Sequence, residues 1–511
     1  MTETLVRLRP IVHATPTPTG LHVRGWSSSF TLDGGTGLWT LWEAIAPKLA
    51  AGMPIAEFAV PPSAPPSVAK ALRMIIEQLR AHDMVVEVPA EWGADAPTED
   101  VRAWLESVAA DPVAAWQRLH AARIEISGDG AVAAAAQRAL TGVGLPVEPK
   151  RAVAGAVSTH PGAELVLVAG EHSIRASVGA EVGYVLPVSA SGELIATGEA
   201  PEVLAALVGS AAAHRLVCAI GGLPDPATEF VELTGADQPA REGLFVLVAR
   251  LDPLRADYHP WLPTHLPLDP PTEPARIVDL LGDPELGPVP TPEFGELPQL
   301  PANIALSGDV LGIGTAADDA RLDAARLAVQ AALGDDVVVG IGQSHALGLT
   351  LRTAARRLAG VPVAEDEWAG DPTARRWWKA LTLRFAVPAT CAVSRLADGV
   401  YRAEIRTVDG PLSWAVEARA ADAVSFAALA AVGRAQAGRS GVAQLLCGAA
   451  PVSRRKAEPA ADWLSRDWNW PLDVSETEPE FQARLLSIVD KPEPLSLGAV
   501  FDSAGVVGFR G

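Results

Sequence analysis

Hydrophobic and polar positions alternate in three short stretches near the N-terminus, around residues 5–8, 21–26 and 29–32, and then give way to helical spacing. This pattern predicts three strands followed by three helices over residues 1–92. The first helix is expected after Thr36, in TGLWTLWEAIAPKL, and the third after Ser67, in PPSVAKALRMIIEQLRAHDMVVEV, with each of these residues as N-cap. On the third helix Val68, Leu72, Ile75, Ile76 and Leu79 share one face, while Lys70, Arg73 and Arg80 fall along another with Glu77 among them. In the third strand, SFTL, Phe30 and Leu32 point to one side and Thr31 to the other.

From residue 93 to about 272 strands and helices alternate as in an α/β domain. RIEIS precedes Gly128, LVLVAG follows, VGYVLPVSASGELIATG reads as a hairpin, a long apolar helix covers about 201–220, and LFVLVARLDP reads as a buried strand. Residues 273–302 turn proline-rich, ending in LGPVPTPEFGELPQLPAN, and predict an extended linker. Residues 303–450 contain an internal echo, VLGIGTAADDARLDAARLAVQAAL and VVGIGQSHALGLTLRTAARRLAG, each a strand ending in Gly-Ile-Gly before an alanine-rich helix. Two copies suit an α/β layer with helices on a sheet. Residues 451–511, with RRK, DWLSRDWNWP and the acidic SETEPE, show little periodicity and predict a tail wrapped over the preceding domain.

A chain of 511 residues is too long for one ordinary core and implies about three domains. Hydrophobic residues make up 49% of it, yet the longest apolar run, VLAALVGSAAAHRLVCAIGG, is interrupted by His214 and Arg215. The N-terminal MTETLVRLRP carries an acid early and lacks an apolar stretch of the secretory kind, so the expected location is the cytoplasm, with no membrane partner. Cys218, Cys391 and Cys447 form no C-x-x-C pair, which argues against a disulfide framework and a four-cysteine zinc site. The formal charge of -20 disfavours nucleic acid as a partner. Residues 1–90 are locally neutral, with seven Lys and Arg against seven Asp and Glu. The bases on the third helix therefore either solvate an outer face or attract an acidic ligand.

The stretch RIEISGDGAVAAAAQRAL gives G-x-G-x-x-A at Gly128, Gly130 and Ala133 between strand and helix, the arrangement in which a helix N-terminus cradles phosphates. Glu148 falls about where a ribose-binding acid belongs. Asp129, however, places negative charge between the glycines and no Lys or Arg offsets it in the turn, so the loop reads as a structural βα turn. The histidines, including His13, His160, His214, His259 and His345, make no zinc-hydrolase spacing, and no nucleophile elbow or P-loop occurs. Ser344 and His345 are adjacent and cannot form a relay, so Ser344 is expected to cap a helix. Asp318, Asp319 and Asp323 are expected as helix-start and surface acids.

HVRGWSSSFTLDGGTGLWTLWEAIAPKL and PPSVAKALRMIIEQLRAHDMVVE together resemble the RiPP recognition element, the PqqD-like winged helix-turn-helix that binds leader peptides. IEISGDGAVAAAAQRAL, LAALVGSAAAHRLVCAIGGLPDP and LDPLRADYHPWLP look like a ThiF-like, Rossmann-type fold. The combination is similar to the leader-binding partner proteins, also called Ocin-ThiF-like or F proteins, of azoline-forming YcaO cyclodehydratases. Residues 303–450 faintly resemble a YcaO fold, without its glutamate-rich ATP and magnesium motifs and without a terminal PxPxP.

The resemblance implies a multi-domain α/β protein. Its parts would be a winged helix-turn-helix recognition element over 1–92, a degenerate ThiF-like domain over 93–272, a linker over 273–302, an α/β domain, degenerate YcaO-like, over 303–450 and a tail over 451–511. It implies leader-peptide binding by Phe30, Thr31, Leu32, Lys70, Arg73, Ile76 and Arg80, with Gly128 and Gly130 a vestige of a nucleotide turn and no catalytic or metal-binding residue. ATP and magnesium would belong to a partner YcaO protein and zinc to neither. Partners would be the precursor's leader, the YcaO cyclodehydratase and a flavin-dependent azoline dehydrogenase, and the products thiazole- and oxazole-modified peptides, thiopeptides among them. Two rival readings are a stand-alone ATP-dependent adenylating enzyme using Gly128 and Gly130, and a transcriptional regulator, which the net acidity disfavours.

Overall fold

Leu21, Val23 and Phe30 alternate with His22, Arg24 and Thr31, and this alternation builds an antiparallel meander of His13–Thr17, Gly20–Arg24 and Ser29–Asp33. One face of the meander is buried on Leu38, Trp42, Leu49, Ile75 and Leu79. The computed structural model describes residues 3–26, 28–128, 130–149, 162–187, 194–227, 245–262, 274–334, 336–439, 443–451 and 476–510. It divides the chain into two compact units, Met1–His259 and Pro260–Gly511.

In the first unit a second small sheet sets Thr4–Leu8 between Met53–Pro54 and Val85–Pro89. Residues 1–92 thus hold six described strands and two helices, Gly37–Ala51 and Pro66–Ala81, where three and three were expected. His13–Thr17 gives no sequence signal because HATPT has no apolar alternation, and the expected middle helix is a single turn in which Phe58 N donates to the carbonyls of Pro54 and Ile55. Thr36 takes the expected N-cap position and Ser67 does not. Thr36 makes no side-chain cap bond, and the later helix begins at Pro66, whose missing N–H suits a first helical position.

A seven-stranded sheet follows, in the order Arg255–Pro260, Phe245–Arg250, Val182–Pro187, His172–Val178, Ala163–Ala169, Ile124–Gly128, Val147–Pro149. Its one parallel pair among the described registers joins Ile124–Gly128 to Val147–Pro149 through the helix Gly130–Gly142. The others are antiparallel, so parallel pairing is confined to a single βαβ unit and the rest is a meander. The partners of Val182–Pro187 are its neighbours His172–Val178 and Phe245–Arg250, not the residues after it as the expected hairpin required. The helix Glu202–Gly221 is long and apolar enough, by length and composition, to cross a membrane. Here it packs into the core on Gly130–Gly142, with Gly209 so close to the Val132 carbonyl and the Ala135 side chain that a Cβ would collide with them. Its Arg215, interior to the apolar run, is buried by pairing with Asp225 at 3.1 Å and donating to Phe245 O at 2.7 Å.

In the second unit both Gly-Ile-Gly echoes take the expected form: Val310–Gly314 leads to the helix Ala317–Leu333, and Val337–Ile341 to Gly342–Ala355. A five-stranded sheet runs Val361–Pro362, Thr390–Ala397, Val400–Thr407, Gly410–Glu417, Gln444–Leu445, packed on the helix Ala420–Gln436. Two expectations fail here. Part of the supposed linker, Pro274–Leu281, is a helix that buries Ile277, Val278 and Leu281. Part of the supposed tail is core: Val506–Arg510 is the central strand of a sheet with Val337–Ile341 and Pro494–Leu495. Apolar periodicity failed to show this because the strand is defined by pairing with Val337–Ile341, far away in the chain. RRK and DWLSRDWNWP lie outside the described residues.

Candidate functional site

The meander has an open side. Ser29–Asp33 pairs with Gly20–Arg24 and with no other strand among the described residues. Gly25 N donates to Ser28 O at 2.9 Å and Gly34 N to Thr19 O at 2.8 Å, which fixes the parity of the ladder. Hydrogen-bonded pairs in an antiparallel ladder alternate, so Phe30 and Leu32 direct their backbone groups inward to Val23 and Leu21. The N–H and C=O groups of Ser29, Thr31 and Asp33 consequently point away from the sheet, a row of groups that a further extended chain can use.

The side chains alternate the other way. Phe30 is buried and Leu32 half-buried on the core side, with the Phe30 ring 5.2 Å from that of His82 at the end of the helix Pro66–Ala81. Thr31 is exposed on the outer face and its hydroxyl lies 2.9 Å from His22 Nδ1. On the helix, Lys70 and Arg73 are exposed and make no ion pair among the described residues, and Ile76 is half-buried. Arg80, two turns beyond Arg73 on the same helix, is exposed and lies over the Phe58 ring at 5.0 Å. The structure thus places Phe30, Thr31 and Leu32 on one edge strand and keeps Lys70, Arg73 and Arg80 exposed on the helix, the last of them with an aromatic partner. Sequence reasoning missed the outer-face residues His22 and Arg24, which stand in register opposite Thr31 and Ser29, and His13, which stands opposite Arg24.

At the glycine turn, Gly128 has φ +139° and a Cβ there would lie 2.5 Å from Glu164 O on the adjacent strand. Gly130 has φ +69° with open space around its Cβ position. Gly128 is therefore required by strand contact and Gly130 by backbone conformation alone. Gly128→Ala is expected to cost about 2 kcal/mol in chemical denaturation, and Gly130→Ala less than that. Equal costs at the two positions would contradict the packing argument. Glu148 is exposed, and Asp129 and the residues from 150 to 161 lie outside the described residues.

A cavity of about 70 Å³ in the second unit is lined by Thr315, Asp319, Asp323, Arg326, His345 and Cys447, among others. Asp323 is no surface acid. It accepts from Ile313 N and Gln444 Nε2, each at 3.1 Å, and pairs with Arg326 at 2.7 Å. His345 Nδ1 accepts from Ile341 N at 3.2 Å, and burial, with Arg326 and Arg352 nearby, pushes its imidazole well below the usual range, so the ring is neutral. Burial pushes the Cys447 thiol up to about 12, with Glu417 and Glu478 adding and Arg352 opposing, so at neutral pH the sulfur stays protonated and is a poor nucleophile. Ser344 does not cap; it lies within the helix and its carbonyl accepts from Gln482 Nε2 at 2.8 Å. The described residues contain no group of three or more His, Cys, Asp or Glu placed to hold a metal.

No family model and no curated protein matches the chain. Among solved structures it is similar to a heterocyclase in complex with substrate and cofactor, at 11% identity and TM-score 0.45, covering 99% of this chain and 94% of that one. It is also similar to the heterocyclase TruD, at 12% identity and TM-score 0.42 with the same coverages of 99% and 94%. E. coli MccB with ATP is 10% identical at TM-score 0.34, covering 50% of this chain and 96% of that chain. All are distant likenesses.

Proposed function

We propose that this chain binds the leader of a ribosomally made precursor peptide and presents the peptide to a separate YcaO cyclodehydratase, which forms thiazoline or oxazoline rings. The chain itself is a noncatalytic scaffold, working in the cytoplasm. The observation that carries this reading is the open edge Ser29–Asp33 of an amphipathic meander, within the segment that resembles a recognition element. An added strand gains affinity from the outward N–H and C=O groups and specificity from side chains on either side. ATP and magnesium belong to the YcaO partner, which activates the backbone amide during ring closure, and a flavin-dependent dehydrogenase oxidises the azoline afterwards.

The test is reconstitution of the full chain with candidate YcaO proteins and Cys-, Ser- or Thr-containing precursors, reading the loss of one water per ring by mass spectrometry. Ring formation that needs this chain and the leader together is the expected result. Saturable ATP binding by the isolated chain, with ring formation or adenylation in the absence of a YcaO protein, would replace this reading by the adenylating one.

Exposed Lys70 and Arg73 then meet acidic side chains of the leader. Each such pair contributes only about 0.2–1 kcal/mol, so Arg73→Ala weakens leader binding a few-fold at most. The Lys70→Glu, Arg73→Glu double variant is expected to weaken it more, with a reduced salt dependence in fluorescence anisotropy. Unchanged affinity would return both residues to the solvated face of the helix.

A further inference from the structure

The outer face of the meander is a surface in its own right. His13, Arg24 and Ser29 stand in one cross-strand row, Thr15, His22 and Thr31 in the next, and Thr17, Gly20 and Asp33 in the last. The first row ends at the open edge with a small side chain, and behind it is Arg24, which is exposed and makes no ion pair among the described residues. The last row ends at the edge with a carboxylate, Asp33, which accepts from the Thr19 hydroxyl at 2.5 Å. The face is therefore positive at the Ser29 end and negative at the Asp33 end.

A strand added to this edge places alternate side chains on that outer face, at the positions opposite Ser29, Thr31 and Asp33. The residue opposite Ser29 lies two strand spacings from Arg24, roughly 10 Å between Cα atoms, with only the serine side chain between. A long acidic side chain and an arginine extending toward each other over Ser29 meet across that gap. We infer that Arg24 is a specificity-determining residue that selects a carboxylate on the bound peptide at the position opposite Ser29, through the face of the sheet remote from the helix. The same charge pattern disfavours an acid opposite Asp33. This inference rests on the peptide-binding reading of the edge and adds to it a residue and a side-chain requirement.

Short random-sequence peptides displayed on mRNA and selected on the full chain test it, whatever the sequence of the leader. Three proteins are used in parallel: the unaltered chain, Arg24→Glu and Thr31→Pro. Thr31 directs its N–H outward, so proline there blocks strand addition while sparing the inner ladder, and circular dichroism confirms the fold of both variants. The unaltered chain is expected to enrich peptides with Asp or Glu at one fixed position. Arg24→Glu is expected to replace that acid by Lys or Arg and to bind the original peptides about tenfold more weakly, and Thr31→Pro to enrich none of them. If Thr31→Pro abolishes binding while Arg24→Glu keeps the same acid preference and affinity, the inference about Arg24 is wrong and the edge reading stands. If Thr31→Pro binds as well as the unaltered chain, or the unaltered chain enriches nothing, both fail.

Discussion

Arg352→Met is expected to lower the stability of the second unit by about 3–5 kcal/mol, because it leaves two carboxylates buried without a cation. Arg352 is completely buried. Its guanidinium reaches Glu417 at 2.9 Å and Glu478 at 2.7 Å, and it also donates to the Val416 carbonyl at 2.9 Å. Arg352, Glu417 and Glu478 come from distant parts of the sequence: the helix Gly342–Ala355, the strand Gly410–Glu417 and the helix Glu478–Leu486. Gly448 N adds a donor to Glu417 at 2.9 Å and Gln482 Nε2 one to Glu478 at 2.8 Å, and the Phe481 ring lies 4.9 Å from the guanidinium. One positive charge against two negative ones leaves the cluster short of compensation. Burial accordingly holds the Glu417 carboxyl above its ordinary value, with Arg352 pulling the other way.

The pH dependence follows from that direction. A carboxyl whose folded pKa is raised binds its proton more tightly in the folded state, so its contribution to stability falls as pH rises past the ordinary glutamate range. Removing Arg352 removes the main opposing influence and raises the carboxyl further. The deficit of Arg352→Met is therefore expected to be largest near neutral pH and to shrink toward about pH 5, where the orphaned Glu417 carboxyl takes up a proton. Chemical denaturation at the two pH values, followed by circular dichroism, checks this. A deficit that does not change with pH would mean the loss is one of packing and hydrogen bonds and not of charge.

Local patterning made some of this visible and concealed the rest for identifiable reasons. Strands with an apolar face, such as Gly20–Arg24, and strand–glycine–helix units, such as Val310–Gly314 with Ala317–Leu333, announce themselves because neighbours in sequence share one environment. Val506–Arg510 does not, since what makes it a central strand is pairing with Val337–Ile341, far away in the chain. Arg352 and Glu478 look like ordinary helix-surface charges, and only the tertiary structure reveals each as the other's partner. On the candidate edge, the inward and outward directions of Phe30 and Thr31 were legible from the period of two. Arg24 was not, because its relation to the edge depends on the register across a tight turn.

Arg9→Ala is expected to lower the stability of the first unit by about 3 kcal/mol, and Arg7→Ala by less. Arg9 is 4% exposed, and its guanidinium joins parts of the chain that a boundary at residue 92 separates. It donates to the Asp83 carbonyl and carboxylate, each at 2.8 Å, and to the carbonyls of Glu106 and Ala109, each at 2.9 Å. The latter two belong to the end of the helix Glu99–Val108 and the residue after it, where carbonyls lack intrahelical partners, so alanine strands buried acceptors as well as deleting a charge. Arg7 also reaches this helix, pairing with Glu106 at 2.8 Å, but it strands no backbone carbonyl of the helix end, and Arg102, 3.9 Å from the same carboxylate, remains to offset part of the charge left behind. A fragment ending at residue 92 lacks Glu106 and Ala109 altogether, leaving the Arg9 guanidinium only its Asp83 partners. Such a fragment is expected to melt below the corresponding transition of the full chain and to bind peptide more weakly, in proportion to its unfolded fraction. Urea titrations of the full chain, Arg9→Ala, Arg7→Ala and the fragment provide the comparison. A fragment as stable as the full chain, with Arg9→Ala indistinguishable from the unaltered protein, would show that residues 1–92 fold without this clamp.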